Sequence, residues 1–512
     1  MSSPAKASAF SDLGFKATLE MLKEEIRDLY SADDVPWIIG YSGGKDSTAV
    51  VQLTWLAIAE LPAEQRKKPI HVISTDTLVE NPVVAAWVNQ SHEIMRKRAS
   101  EHTVPFIVHR LVPSLEDSFW VNLIGKGYPA PRPKFRWCTT RLKISPSTAF
   151  ISGVVKQSGE AILLLGSRKA ESQARSRTMQ RHEKHRVRDR LSPNFNLPSA
   201  LVYTPIEAWT NDDVWMFLMQ VSNPWGFNNK ELLTMYQGAS PDGECPLVVD
   251  SSTPSCGDSR FGCWVCTLVD KDKSMTAMIQ NDQEKEWMMP LLDLRNALDF
   301  RNGSDGEDEM TDRHLRDFRR MNGSLTVFND RLVHGPYTQT ARETWLRKLL
   351  AAQQTIRKTG PESVRGIELI SLNELQEIRR TWVVEKHEME DNLPRIYLEV
   401  MGDVFPGQQL DDNMVLGLEE MQLLRDICGD NQLQFEMARE LLSVERQQRM
   451  QARRAGLFDR LEKAISRHYY ENREDAVTVA KRHAQVRAAA AIGLTDPAGC
   501  NVALESPQDL LA

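Results

Sequence analysis

Along the first half of the chain, short apolar runs alternate with longer stretches of helical character. The runs Trp37–Tyr41, Ile70–Thr75, Val104–Val108, Ala161–Ser167 and Leu201–Ile206 read as strands. Between the first two, Asp46–Leu61 reads as a helix with an apolar face wide enough to be buried against a sheet. Alternation of this kind predicts an α/β domain with a doubly wound parallel sheet, which takes its ligands at the carboxyl ends of the strands. From about Tyr236 to Phe261 the pattern breaks. There Gly238, Pro241, Gly243, Pro246, Pro254 and Gly257 punctuate an irregular stretch, and stretches of this length inside a domain usually serve function. Asp299–Asp312 is acidic and reads as a surface loop. After Leu372 the chain reads as mostly helical, with Leu457, Phe458, Leu461, Ile465 and Tyr469 at helical apolar spacing. These shifts predict three regions: an α/β domain over 1–235, a cysteine-bearing region over 236–345 and a helical region over 346–512.

The 512 residues are enough for about three domains at ~150 residues each. With 41% hydrophobic and 26% charged residues there is ample core material, which excludes disorder and collagen as the main theme. No run of ~18 apolar residues predicts a membrane span. Met1–Phe10 lacks the apolar core of a signal peptide, so the cytoplasm is the expected compartment. The net charge of -7 argues against a protein that coats nucleic acid by itself, though a local basic face stays open.

The first strand runs into Ser42, Gly43, Gly44, Lys45, Asp46 and Ser47 and then into a helix. Two glycines let backbone approach an anion, and a helix N-terminus offers free N–H groups and a positive dipole end. Lys45 adds a mobile charge, and Ser42 and Ser47 add hydroxyls. The loop is not a Walker A motif, because position 39 is Ile and position 46 is Asp. Asp46 suits either a metal ion or the capping of its own helix. Arg168, at the end of the fourth strand, is placed for phosphate. Trp209 and Trp215 read as core.

Four of the seven cysteines, Cys245, Cys256, Cys263 and Cys266, fall within 22 positions, the last two as a C-x-x-C pair. In a cytosolic chain this points to four thiolate ligands, and zinc and a [4Fe–4S] cluster satisfy the spacing equally. Cys138 stands apart, with Lys134, Arg136, Arg141 and Lys143 around it, a setting that predicts a lowered thiol pKa. Reactive thiol, inert buried cysteine and cluster ligand are its three possible roles. Cys428 and Cys500 read as structural or incidental. Between Arg168 and Arg190 stand nine Lys/Arg against three acids, a pattern of either a solvated loop or a surface that meets a nucleic-acid backbone.

The Ser42–Ser47 loop resembles the SGGxDS pyrophosphate loop of the N-type ATP pyrophosphatases, which cleave ATP between the α- and β-phosphates. It implies ATP and Mg²⁺ bound at Ser42, Gly43, Gly44, Lys45, Asp46, Ser47 and Arg168, with Asp76 of Ser74–Leu78 meeting the adenosine part. Gly166–Ser172 resembles the G-x-R-x-x-E-S motif of the related PAPS reductases. Pro205–Trp209 with Asp212–Trp215 resembles their P-I-x-x-W…D-V-W stretch. Gly262–Thr267 resembles the G-C-x-x-C-T of sulfonucleotide reductases, some of which carry a [4Fe–4S] cluster, and this favours iron–sulfur over zinc. Those cluster-bearing reductases have a cysteine pair where this chain has Cys138 and Thr139.

With Ser74–Pro82, Trp120–Pro129, Phe135–Thr139, Gly243–Leu247 and Pro254–Cys256 added, the chain resembles the DndC family, the PAPS-reductase-like sulfurtransferases of DNA phosphorothioation. The resemblance runs from about 20 to 400. It implies sulfur replacing a non-bridging phosphate oxygen of DNA, with Lys45, Asp46, Cys138 and Arg168 in the chemistry. Sulfur would come from a cysteine desulfurase, and DndD and DndE would be partners. A sulfonucleotide reductase, a tRNA thiolation enzyme and a non-catalytic ATP-binding scaffold are the competing readings.

Overall fold

The computed structural model describes residues 8–188, 190–240, 261–300, 312–328, 331–410, 416–449 and 453–491. Contacts divide the chain into two compact units. The first gathers the described residues of Met1–Phe119, Pro131–Asp299 and Thr359–Arg365, and the second those of Trp120–Ala130, Phe300–Lys358 and Gly366–Ala512. This division differs from the expected breaks at 235 and 345. The C-x-x-C turn folds with the sheet, and a short early segment, Trp120–Ala130, folds with the helices.

The sheet of the first unit holds β1 (Trp37–Gly40), β2 (Ile70–Thr75), β3 (Phe106–Leu111), β4 (Ala161–Leu164), β5 (Ser192–Pro193) and β6 (Ala200–Tyr203) in the order β3-β2-β1-β4-β6-β5. All pairings are parallel except the antiparallel edge β5–β6, which the sequence pattern did not reveal because β5 is only two residues long. The expected strand over Val104–Val108 lies later in the chain, at Phe106–Leu111, and those over Ala161–Ser167 and Leu201–Ile206 end sooner. Their last residues form the turns that carry chemistry.

Period-two side chains feed two cores, as expected for strands covered on both faces. Trp37, Ile39, Ile70, Val72, Ile162 and Leu164 join the larger core. It also takes in α1 (Phe15–Ser31), α2 (Lys45–Ala59), α3 (Pro82–Glu101), α6 (Asn211–Gln220) and α7 (Asn229–Gly238). Ile38, Ile73 and Leu163 face the other way, toward Ile151 and Phe150 of α4 (Ser145–Ser158). Helix α2 is apolar on nearly every side and buried accordingly. Trp209 and Trp215 are core residues, each 1% exposed.

The remaining helices of this unit are α5 (Gln173–Glu183), α8 (Lys273–Asn281) and α9 (Met289–Leu298). The second unit is helical, as the pattern after Leu372 predicts: α10 (Gln339–Thr359), α11 (Leu372–Arg380), α12 (Asn392–Met401), α13 (Leu418–Cys428), α14 (Gln432–Arg449), α15 (Leu457–His468) and α16 (Arg473–Ala491). A small hairpin, β7 (Val327–Phe328) and β8 (Arg331–Leu332), is added to them. Trp120 donates to Leu369 O at 2.8 Å and Trp382 to Ile124 O at 2.9 Å, fastening 120–130 among the helices. A cavity of about 1120 Å³ in this unit is bordered by ion pairs such as Arg439–Glu390 at 3.2 Å and Arg467–Glu440 at 2.8 Å. Helix α15 departs from its expected apolar stripe, since Phe458 is 84% exposed while Ala464 and His468 are buried. No described helix is long and apolar enough to cross a membrane.

The strand ends are tied by a buried relay. Ser74 Oγ donates to Tyr41 O at 2.5 Å and pairs with His92 Nε2 at 2.8 Å. Burial first, then Arg96 and Arg110, lower the His92 pKa to about 4 from 6.5. The folded state therefore prefers the neutral ring, and stability present above pH 6.5 is lost as pH falls toward 4, by at most about 3 kcal/mol. His92→Gln should flatten the pH dependence of urea unfolding across that window. An unchanged slope would show that His92 does not carry it.

Candidate nucleotide and thiol site

Strand β1 pairs with β2 on one side and β4 on the other, so the chain reverses its direction of travel across the sheet between β1 and β4. A crevice opens outside the strand ends at such a point. The Ser42–Ser47 loop leaves β1 there, and Gly166–Arg168 leaves β4 beside it. Gly43 has φ +74°, and a Cβ on it would lie 2.4 Å from Val88 Cγ2, so only glycine fits. A Cβ on Gly166 would stand 3.0 Å from the Asp46 backbone, and this closeness brings the two loops together. Ser47 Oγ accepts the Ser42 N–H at 3.1 Å and donates to Gly44 O at 3.0 Å, which closes the loop on itself. Trp87 Nε1 holds Gly43 O at 3.2 Å. The first-turn amides of α2 have no intrahelical partner by construction and form the anion-facing end.

The loop's charges are already matched. Arg168 Nε donates to Asp46 Oδ1 at 2.7 Å, and Lys45 Nζ reaches Asp46 Oδ2 at 3.2 Å. The side chain of Arg168 is only 5% exposed, and it braces Asp46 while also lining the crevice. Asp46 does not cap its helix, because the N-cap is Gly44 with no side-chain bond. Lys45 Nζ lies 5.5 Å from the centre of the Tyr236 ring, and the Tyr236 hydroxyl accepts the Lys45 N–H at 3.4 Å. Burial pushes the Tyr236 hydroxyl well above its usual range, so it stays neutral.

A cavity of about 930 Å³ spans this loop, the Asp76 turn and the start of α5. Asp76 Oδ1 accepts the Leu78 N–H at 2.8 Å, and Oδ2 takes Arg110 Nε at 3.0 Å and Nη2 at 2.5 Å. Both oxygens thus serve the turn, where Leu78 sits at φ +64°.

The C-x-x-C turn reaches the same cavity wall. Cys266 N–H bonds Cys263 O at 3.0 Å, and the turn pairs with the chain after β2 through Trp264 N to Val79 O at 3.0 Å. Cys263 Sγ lies 3.2 Å from Thr77 Oγ1 and 3.8 Å from Glu80 Oε1, and Lys143 Nζ meets that same oxygen at 3.3 Å. Glu80 and Lys143 both line the cavity. Burial and then Glu80 push the Cys263 thiol up to about 12. The buried Arg295 supports the turn from behind. It donates to Cys266 O at 3.0 Å, Asp270 O at 3.1 Å and Asp299 at 2.9 Å.

Cys138 behaves differently from expectation. Its thiol pKa is raised, chiefly by burial, with Thr139 lowering it and the nearby Cys266 raising it further. Three of the four neighbouring cations are engaged elsewhere: Arg141 pairs with Asp117, Lys143 with Glu80, and Arg136 Nε bonds Pro133 O at 3.2 Å. Cys138 is thus within electrostatic range of the C-x-x-C pair. Cys245 and Cys256 lie outside the described residues. Among the described residues no group of three or more His, Cys, Asp or Glu is set to hold a metal ion.

The sequence assigned no role to Tyr236, His92 or Arg295, and it named Thr77, Glu80 and Lys143 only within longer segments, without their grouping around Cys263.

Residues 36–226 match the phosphoadenosine phosphosulfate reductase domain family, and residues 419–466 match a family of small proteins found in certain Dnd DNA modification systems. An uncharacterised protein of Methanocaldococcus jannaschii is 24% identical over 200 residues, which are 39% of this chain and 35% of that relative's length. Among solved structures, a PAPS reductase of Candida auris in a phosphate complex shares 15% identity with a TM-score of 0.25, covering 41% of this chain and 89% of that one. The U34-tRNA thiolase NcsA of Methanococcus maripaludis with its [4Fe-4S] cluster shares 13% identity with a TM-score of 0.27, covering 53% and 81%.

Two substitutions test the architecture. Gly43→Ala, forced into positive φ against Val88, should lower unfolding stability by about 1–3 kcal/mol, whereas Gly238→Ala, with open space around its Cβ position, should not. Arg295→Met removes the donor shared by three carbonyl oxygens and the buried Asp299, and should cost about 3–5 kcal/mol in denaturant unfolding. A cost under about 1 kcal/mol would mean that the C-x-x-C turn does not depend on Arg295.

Proposed function

We propose that the chain is an ATP-dependent sulfurtransferase of DNA backbone phosphorothioation, of the DndC type. The observation that carries this reading is a combination within one chain. A PAPS-reductase-type domain presents the loop Ser42-Gly43-Gly44-Lys45-Asp46-Ser47 at its sheet crevice, and a later segment matches a Dnd-system protein. At the coarser level these matches support sulfur transfer or nucleotide binding by an enzyme.

In this reading the phosphates of ATP rest against Gly43, Gly44 and the first-turn amides of α2. Lys45 turns from Asp46 to the phosphates and stabilises charge developing there as the α–β bond breaks. Arg168 holds the carboxylate of Asp46 in place, and that carboxylate is the group suited to Mg²⁺, which when bound neutralises phosphate charge. Adenylation makes the target oxygen of the DNA phosphate a leaving group. The outer sulfur of a Cys138 persulfide attacks phosphorus, and AMP leaves with that oxygen. A second thiol such as free cysteine then attacks the Cys138 sulfur, releasing the phosphorothioate and leaving a mixed disulfide. Cys245, Cys256, Cys263 and Cys266 would hold the [4Fe–4S] cluster, whose chemistry when bound is the handling of sulfur and electrons. The two described thiols fit such a group in type and turn geometry. Cys138, beside them, is the candidate carrier of sulfur from a cysteine desulfurase. DndD and DndE are the expected partner proteins.

The PAPS reductase domain match favours one second reading, a thiol-dependent sulfonucleotide reductase. A single assay separates the two. Protein purified without oxygen, with ATP, DNA, cysteine and a desulfurase, should form AMP, pyrophosphate and phosphorothioate-linked dinucleotides after nuclease digestion. Lys45→Ala should lower AMP formation by about 10²-fold or more. Sulfite release from PAPS with no AMP formed from ATP would overturn the proposal. Cys→Ser changes at 245, 256, 263 and 266 should each lose about four irons and their acid-labile sulfide, and the change at 138 should keep them. Loss at 138 with retention at 245 or 256 would reverse that assignment.

A further inference from the structure

The middle of the basic run after Arg168, Gln173–Glu183, folds as α5 with Lys184 as its C-cap, and the run's charges sort into two classes. Most cations are spent on ion pairs: Lys169 with Glu207 at 3.3 Å, Arg175 with Glu171 at 3.3 Å, Arg186 with Glu207 at 3.3 Å and Arg188 with Asp33 at 2.8 Å. Three are not. Arg177, Arg181 and Lys184 are exposed, and no ion pair or side-chain hydrogen bond to a described residue reaches them.

Their spacing is i, i+4, i+7, which aligns them on one face of the helix. The half-buried positions Ser176, Met179 and Glu183 occupy the opposite side, with Glu183 tied to Lys169. The outer face is therefore a stripe of three unneutralised cations on a chain whose net charge is -7. At 1.5 Å per residue the stripe runs about 10 Å, close to the rise of three base pairs. Its position matters as much as its charge. Ser172 and Arg175, at the N-terminal end of α5, line the same cavity as the Ser42–Ser47 loop, on the side of the helix turned away from the stripe, so the stripe and the cavity flank the same helix.

We infer that Arg177, Arg181 and Lys184 form a docking stripe for the phosphate backbone of duplex DNA. The inference rests on the proposed DNA-modifying function and deepens it by naming the surface that holds the substrate. The contacts are to phosphate, so they position DNA without reading its sequence. No aromatic side chain stands on the stripe to stack on a base.

The test is fluorescence anisotropy of the full chain with a labelled duplex of about 30 base pairs. Each phosphate contact contributes about 0.9 to the slope of log affinity against log salt. Three contacts therefore weaken binding about 40-fold between 50 and 200 mM salt. The combined variant R177Q/R181Q/K184Q should lose that part of the salt dependence and bind far more weakly at 50 mM, while R177K/R181K should retain it. Thermal unfolding of each variant checks that the fold is intact. Equal affinity and equal slope in wild type and the Gln variant would overturn the inference. Stripe-dependent binding of tRNA tenfold tighter than the duplex would overturn it in favour of RNA. Wild-type conversion of ATP to AMP is measured separately. Its absence with stripe-dependent DNA binding would count against the proposed chemistry alone, and its presence with stripe-independent binding against the docking surface alone.

Discussion

Strand β1 is paired in parallel on both sides, with β2 in register from Trp37–Ile70 and with β4 from Trp37–Ile162. Because those neighbours belong to opposite directions of travel across the sheet, no crossover covers the ends of β1 and β4. The two loops that leave them meet instead. Gly166 permits the approach, since a Cβ there would press on the backbone of Asp46, and the Arg168–Asp46 pair then locks it. The cavity lined by both loops also takes in the Asp76 turn, and the thiol-bearing turn meets that turn through Glu80.

Electrostatics divides the first unit into a preorganised interior and an unspent exterior. Inside, Arg168, Lys45 and Asp46 satisfy one another, as buried charges must. Bringing in an anionic ligand is then an exchange of partners, with Lys45 the mobile member because Arg168 is enclosed. The thiols follow the same physics in the opposite sense. Cys138 and Cys263 are pushed toward the neutral thiol by burial, so any group that takes them as thiolates must supply the compensating positive charge. Outside, α5 and its C-cap keep three cations that no carboxylate among the described residues claims.

The second unit is built on other terms. Its α10 core of Trp345, Leu346, Leu349, Leu350 and Ile356 follows helical periodicity, yet its later helices meet the rest through ion pairs around a large polar cavity. Burying charge this way stabilises less than apolar packing of similar volume. The segment 419–466, which matches a separate small protein, lies among these polar contacts.

Local signals were legible wherever the relevant physics is local. The five parallel strands, the helical second half, the phosphate loop and the C-x-x-C pair each follow from residues adjacent or periodic in sequence. By itself, then, the sequence determined the fold class and the places of its motifs at the strand ends. Charge state was not legible, because it depends on enclosure. Arg168 lines the cavity at the end of its strand, and only the fold shows that it is also paired with Asp46. Cys138 looked like an activated thiolate, and its cations are paired with Asp117 and Glu80. The basic run looked uniform, and only the folding of α5 and the positions of its acidic neighbours separate neutralised arginines from free ones. Tertiary structure decided these points because pairing and burial join residues far apart in sequence, as with Arg168 and Asp46, separated by 122 positions.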